Sequence, residues 1–277
     1  MKPAVRKQVA DWMIDQYGSS VRRACSVVML STSMYYYRPA DRHEELLRMR
    51  MRQIAATRVR YGFWRIYILL RRKGFTDNHK RVYRLYKAEQ LNLRSKRPRR
   101  SRSAAHRLSR IPTQTIHQVW SMDFASDALL DGRHFRIVAV VDNYSKKCLS
   151  LRVGQSLKGQ DVQENLHHIC LTEGEFPERL QCDNGSEFIS KESFQMDFSR
   201  PGKPTDNPYV ESFIGNFRDE CLSVNWFLSI EHAQQMIEQY RQEYNQFRPH
   251  SSLGDLTPEE FIQAHLHTPE YSTFDCL

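Results

Sequence analysis

No run of 18 consecutive apolar residues occurs in this chain of 277 residues, which excludes a transmembrane helix. The basic N-terminal residues are not followed by the apolar stretch of a secretory signal, so we expect a cytoplasmic protein. The six cysteines include no C-x-x-C pair, which argues against a structural zinc site and against a disulfide framework. We interpret them as small buried apolar residues.

Acidic residues are scarce in the first part of the chain. Residues 1–110 hold 28 Lys+Arg and 7 Asp+Glu, whereas residues 111–277 hold 13 and 25. A positive surplus of this size is typical of a surface that binds the phosphates of nucleic acid. The alternative is a basic region that is merely well solvated.

The N-terminal region, residues 1–60, is predicted to be helical. Periodicity indicates helices over Val5–Tyr17 and Ser20–Leu30, and Ser31 can cap a short third helix over Met34–Tyr37. Three short helices with a tight turn are typical of a helix-turn-helix, although a small helical bundle has the same pattern.

A second helix-turn-helix-like region is predicted over residues 61–93. Its second helix has an apolar face and a separate basic stripe, and the predicted DNA-binding residues there are Lys80, Arg81, Arg84 and Lys87. Residues 94–111 form a basic linker that no apolar core could accommodate. Its predicted DNA-binding residues are Arg94, Lys96, Arg97, Arg99 and Arg100. A solvated basic face is the alternative for the stripe.

The pattern changes from helical to strand-like at about residue 112, where we place a domain covering residues 112–265, followed by a tail at 266–277. Strands are predicted over Val119–Phe124, Phe135–Val141, Cys148–Val153 and Arg179–Cys182. A helix over Gly159–Leu171 is long enough to cross to a parallel fourth strand. This order predicts an α/β domain with a mixed sheet and helices on its faces.

Three carboxylates are candidates for chemistry in this domain. Asp123 interrupts the apolar first strand, Asp183 ends the fourth, and Glu211 lies in a helix that begins at Asn207-Pro208. Asp183 could instead belong to a plain turn. Carboxylates without His or Cys ligands favour Mg²⁺ or Mn²⁺, and two such ions can activate a nucleophile and stabilise a leaving oxygen at a phosphodiester.

Several motifs resemble the OrfB-type transposases of the family named after insertion sequence three, over roughly residues 19–265. They are Trp120-x-x-Asp123-Phe124, Asp183-Asn-Gly-x-Glu-Phe188, Ser199-Arg-Pro-Gly, Val210-Glu211-Ser-Phe213, Phe217-Arg218-Asp-Glu-Cys-Leu222 and Tyr244-Asn-x-x-Arg248-Pro-His250. Tyr61-Gly-x-x-Arg65 and the residues from His79 to Arg84 resemble the second helix-turn-helix of that family.

The resemblance implies a ribonuclease-H-like mixed five-stranded sheet of the retroviral-integrase type. It places Asp123, Asp183 and Glu211 in the catalytic, metal-binding triad and Arg218 in the place of the basic residue that follows it and contacts DNA. The implied activity is metal-dependent cleavage and strand transfer of insertion-sequence ends. The expected partners are double-stranded DNA and further copies of the chain on that DNA, in the bacterial nucleoid. The sequence leaves open whether the product of an upstream reading frame also binds.

Two departures from the family pattern keep alternatives open. Ile214 stands where the family has a polar residue, and only 27 residues separate Asp183 from Glu211, about eight fewer than in the family. A crossover this short puts the fifth strand, and with it the position of Glu211, in question. The alternative function is a catalytically impaired remnant that only binds DNA. A plain metal-dependent nuclease would also have the three carboxylates, but not the two helix-turn-helix-like regions.

Overall fold

The computed structural model describes residues 2–37, 44–93, 113–182, 195–198 and 208–266, with backbone alone for 195–198. The chain forms two compact units, residues 1–47 and 48–277. Among the described residues, every helix is too short or too polar to reach across a lipid bilayer.

The first unit contains three helices, α1 (Pro3–Tyr17), α2 (Val21–Val27) and α3 (Thr32–Tyr36). The predicted cap is confirmed, because the backbone N–H of Met34 donates to the hydroxyl of Ser31 at 3.2 Å. Ser20 caps α2 in the same way through the N–H of Arg23. Because the three helices are short, their buried residues are few and include Ala10, Ala24 and Cys25.

The second unit begins within helix α4 (Glu45–Thr57) and continues with α5 (Phe63–Arg72) and α6 (His79–Ala88). Asn78 caps α6, because its side chain accepts a hydrogen bond from the N–H of Lys80 at 2.9 Å. The domain boundary at residue 60 stays a prediction; in the contacts of the structure, α4 from Arg48 onward groups with α5 and α6. The physical reason is that Arg48 and Arg52 of α4 both pair with Glu89 at the end of α6.

The sheet has five strands, as expected: β1 (Val119–Ala128), β2 (His134–Asp142), β3 (Cys148–Gly154), β4 (Arg179–Cys182) and β5 (Gln195–Phe198). Their order is β3-β2-β1-β4-β5. The first three strands pair antiparallel, while β4 and β5 are parallel to β1. The fifth strand therefore forms despite the short connection, with Phe198 paired to Cys182.

Helices cover both faces of the sheet. The crossover helix α7 (Gly159–Glu173) packs on one face, where Val162, Leu166 and Ile169 meet Trp120 and Val138. Helices α8 (Pro208–Glu220) and α9 (Ile230–Gln246) pack on the other, and α10 (Pro258–Leu266) lies against α9. The interior strand β2 is buried on both faces, because its alternate residues point to opposite cores. This is the mixed, helix-flanked sheet that the sequence predicts.

Candidate active site

The local structure at Asp123 directs this carboxylate to one face of the sheet. Asp123 is half-buried in β1, opposite Ala139 of β2, and its Oδ1 accepts a hydrogen bond from the N–H of Phe124 at 2.7 Å. Alternate residues of a strand share a face, and Ala125, two residues on, belongs to the core beneath α8 and α9. Asp123 therefore lies on the face of the sheet that α8 covers.

Glu211 lies in the first turn of α8 and is half-buried. The helix has an apolar stripe whose members are all buried: Val210, Phe213, Ile214 and Phe217. That stripe packs against β1 and β2, so Glu211 and Asp123 lie on the same side of the sheet. Ile214, which stands where the family has a polar residue, is 6% exposed and belongs to this core.

The third predicted carboxylate, Asp183, lies outside the described residues. The parallel register of β1 and β4 ends where Met122 faces Cys182, one residue before Asp123 and Asp183 in their sequences. Within the described ranges, no three metal-ligating side chains gather into a group that could hold an ion.

A buried polar network that the sequence analysis missed fixes the register behind Asp123. The carboxamide oxygen of Gln181 in β4 accepts hydrogen bonds from Ser121 of β1 at 3.2 Å and from the amide of Asn143 at 3.1 Å. All three side chains are buried. These two buried hydrogen bonds favour one register of β1 and β4, because slipping by one residue would break them. Nothing in the spacing of these residues signals that they meet.

The predicted basic stripe on α6 is exposed as expected. Lys80, Arg84 and Lys87 face solvent, while Val82, Leu85 and Tyr86 are buried on the opposite side of the helix. Arg81 differs, since it is half-buried and paired with Asp77 at 2.8 Å. Arg218 is exposed on α8. The remaining predicted DNA-binding residues lie outside the described residues: Arg94, Lys96, Arg97, Arg99 and Arg100.

Arg248 and His250, which belong to a family motif in the loop between α9 and α10, are buried. Arg248 is 3% exposed, and its Nε and Nη2 donate to the two carboxylate oxygens of Glu220, each at 2.9 Å. Burial lowers the pKa of Arg248, but the hydrogen bonds and charge of Glu220 outweigh it and raise that pKa overall. Burial, followed by the charges of Arg248 and Arg65, lowers the pKa of His250 to about 3.

The integrase core domain family matches this chain twice, over residues 115–217 and 192–258. An HTH-like domain family matches residues 42–101, which include α4, α5 and α6. The first integrase match contains Asp123 and Glu211, and the second contains α8 and α9.

Whole-chain relatives are proteins of bacterial insertion elements. The "Insertion element IS407 uncharacterized 31.7 kDa protein" of Burkholderia multivorans (strain ATCC 17616 / 249) is 38% identical, over 91% of this chain and 93% of its own length. "Transposase InsD for insertion element IS2D" of Escherichia coli (strain K12) is 25% identical, over 73% of each chain.

Solved structures that match include the HTLV-2 integrase catalytic core domain in complex with magnesium. It is 14% identical and covers 52% of this chain and 95% of its own, with a TM-score of 0.39.

Proposed function

The chain belongs to the OrfB-type DNA transposases of the insertion-sequence-three family, and from that premise we propose that Asp123, Asp183 and Glu211 form the site at which it cleaves element ends and joins them to target DNA. The observation that carries the proposal is the position of Asp123, a half-buried carboxylate on the sheet face covered by the helix that bears Glu211. Continuation of the β1–β4 register past Met122 and Cys182 would place Asp183 beside Asp123.

The three carboxylates are suited to hold Mg²⁺ or Mn²⁺, which prefer oxygen ligands. When bound, two such ions supply activation of the attacking water or 3′-hydroxyl and stabilisation of the leaving oxygen. The protein's own part is to hold the carboxylates in place. The Ser121–Gln181–Asn143 network and the buried stripe of α8 fix the strand and the helix that carry them.

Double-stranded DNA is the proposed partner, bound by the exposed cations of α6 together with Arg81, Arg218 and the basic residues between 94 and 100. Phosphate contacts of this kind position a duplex and give little sequence information by themselves. Cutting and joining two element ends in one reaction favours several copies of the chain on the DNA. Such a reaction takes place in the bacterial nucleoid, within the cytoplasm.

The test is to replace each carboxylate singly, as Asp123→Asn, Asp183→Asn and Glu211→Gln. Each variant should lose Mg²⁺-dependent cleavage of element-end DNA and still bind it, because the removed charge repels phosphate. Asp127→Asn is a matched control, since Asp127 lies in β1, is half-buried and accepts a hydrogen bond from the N–H of Ala128 at 2.8 Å.

Cleavage near the parent rate by any one variant would remove that residue from the proposed site. If the parent itself binds ends but neither cuts nor joins them, the chain is the impaired remnant. Cutting without joining would instead favour the plain nuclease.

A further inference from the structure

Three arginines, each seven positions after the last, connect the HTH-like region to the catalytic core. Each pairs with an acidic residue on a different core helix: Arg58 with Glu243 of α9, Arg65 with Glu220 of α8, and Arg72 with Glu260 of α10. The Arg65–Glu220 contact is 3.0 Å and the Arg72–Glu260 contact is 2.6 Å. We call these three pairs the arginine seam.

The centre of the seam is buried. The side chain of Glu220 is 9% exposed and accepts hydrogen bonds from both Arg65 and Arg248. Tyr61, itself 5% exposed, lies under the guanidinium groups of Arg58 and Arg65, at 5.8 and 5.3 Å from its ring centroid. A carboxylate held by two guanidinium groups out of water has a defined geometry, unlike an exposed ion pair.

On the DNA side, the seam is rigidly joined to the basic stripe. Phe63 of α5 packs on Tyr83 and Tyr86 of α6, with ring centroids 4.9 and 5.6 Å apart. Glu89, directly after α6, is held by Arg48 and Arg52 of α4. These contacts couple the stripe of Lys80, Arg84 and Lys87 to α4 and α5, between which Arg58 lies and on the second of which Arg65 and Arg72 lie.

On the catalytic side, the seam ends on the helix that carries Glu211. Glu220 follows Glu211 by nine residues in α8, which is two and a half turns or about 13 Å along the helix axis. One end of α8 is thus held by the HTH-like region, and the other end presents Glu211.

We propose that the arginine seam fixes the distance between the DNA contacted by α6 and the phosphodiester that reaches Glu211, and so selects the bond that is cut. The inference rests on the proposed function of α6 and Glu211. Arg58, Arg65 and Arg72 are positioning residues in this scheme, since they act through α8 and do not touch the reacting atoms. Misplacement of a reacting group by about 1 Å is enough to change a reaction rate strongly, so a loosened seam lets neighbouring phosphates compete.

The experiment breaks the seam from each side in the full chain. The helix-side variant is Arg65→Gln with Arg72→Gln, and the core-side variant is Glu243→Gln with Glu260→Gln. The core-side variant removes no positive charge, and Gln at 260 can still cap α10 through its carbonyl oxygen. The control, Arg60→Gln with Arg71→Gln, removes two exposed positive charges close to the seam.

Cut sites on end-labelled element-end DNA are mapped to the nucleotide. The parent and the control should cut at one phosphate, and both seam variants should bind the end but cut at several neighbouring phosphates. A residue with only a structural role would lower the rate without moving the position.

If both seam variants cut at the same single phosphate as the parent, at any rate, the inference is overturned and the proposed function stands. If the parent does not cut element ends at all, the proposed function itself fails. Should the helix-side variant not fold, the core-side variant decides the question alone.

Discussion

At the scale of one residue, Arg248 shows that burial decides whether a charged side chain contributes to stability or to contact with DNA. Its guanidinium group is almost completely buried and forms two hydrogen bonds to Glu220. Removing one partner of a buried pair leaves the other charge uncompensated. We therefore expect Arg248 to contribute first to the stability of the fold and only secondarily to DNA binding.

Arg248→Leu should lower the free energy of unfolding by about 3 kcal/mol, the low end for breaking a buried ion pair, because Glu220 stays buried but keeps Arg65 as a partner. Urea unfolding measures the change. The control is Arg72→Leu, whose partner Glu260 is 43% exposed, and for which about 0–1 kcal/mol is expected. Equal losses in the two variants would contradict the assignment of Glu220 and Arg248 as a buried pair.

The lowered pKa of His250 makes the stability of the folded chain depend on pH. Its pKa is about 3 in the folded chain, against an ordinary value of 6.5, so between these values the unfolded chain binds a proton that the folded chain does not. Stability is therefore full above pH 6.5 and falls as the pH is lowered, by up to about 1.4 kcal/mol for each unit.

The variant His250→Gln should show a flatter decline of stability between pH 7 and pH 5 than the parent. Urea unfolding at several pH values gives both curves. The carboxylates shared by the two proteins cancel in the difference. Parallel curves of stability against pH for the two proteins would mean that the pKa of His250 is not lowered in the folded chain.

Helix α6 is the element whose proposed role depends most on charge. Its three exposed cations follow one face, while the opposite face is buried. Each phosphate that such a residue neutralises releases counterions from the duplex, which makes binding depend on salt.

Replacing Lys80, Arg84 and Lys87 together by Gln should therefore reduce the slope of log affinity against log salt by about 2 to 3, given about 0.9 for each phosphate contact on duplex DNA. Fluorescence anisotropy over a salt series measures the slope. A second triple variant, with Gln at Arg133, Arg152 and Lys158, removes the same charge from the catalytic half and should keep the parent slope. Equal slopes in all three proteins would exclude α6 as a phosphate-binding element.

At the same scale, α4 shows what the sequence could have revealed but did not. Its buried residues Leu47, Met51 and Ile54 recur at helical spacing. The arginines and methionines around them obscure this pattern in the sequence. The second, third and fourth strands and α7 were predicted to within two residues, because apolar runs and turn residues bound them locally, whereas β1 continues four residues beyond the predicted end at Phe124. The parallel pairing of β4 with β1 was also predictable, because the helix before β4 is long enough to cross the sheet.

For the molecule as a whole, the mixed sheet was predictable from the order of its elements, whereas the convergence of distant motifs was not. Arg65 and Glu220 are 155 positions apart, and sequence patterns carry no information about such pairs without the fold. The same holds for Ser121 and Gln181. The candidate carboxylates could be named because their family motifs are local, while the roles of Glu220, Arg248 and His250 became visible only through burial.

The two faces of the sheet are completed at different times during synthesis. Helix α7 follows β3 directly and covers one face early in synthesis. The other face, which includes Phe135, Ile137 and Ala139, is covered only after α8 and α9 have been synthesised. A nascent or prematurely terminated chain therefore exposes a broad apolar surface, which chaperones and proteases recognise. A chain that ends before residue 246 is therefore expected to be less stable and more easily cleaved by protease than the full chain, because part of α9 is missing from this core.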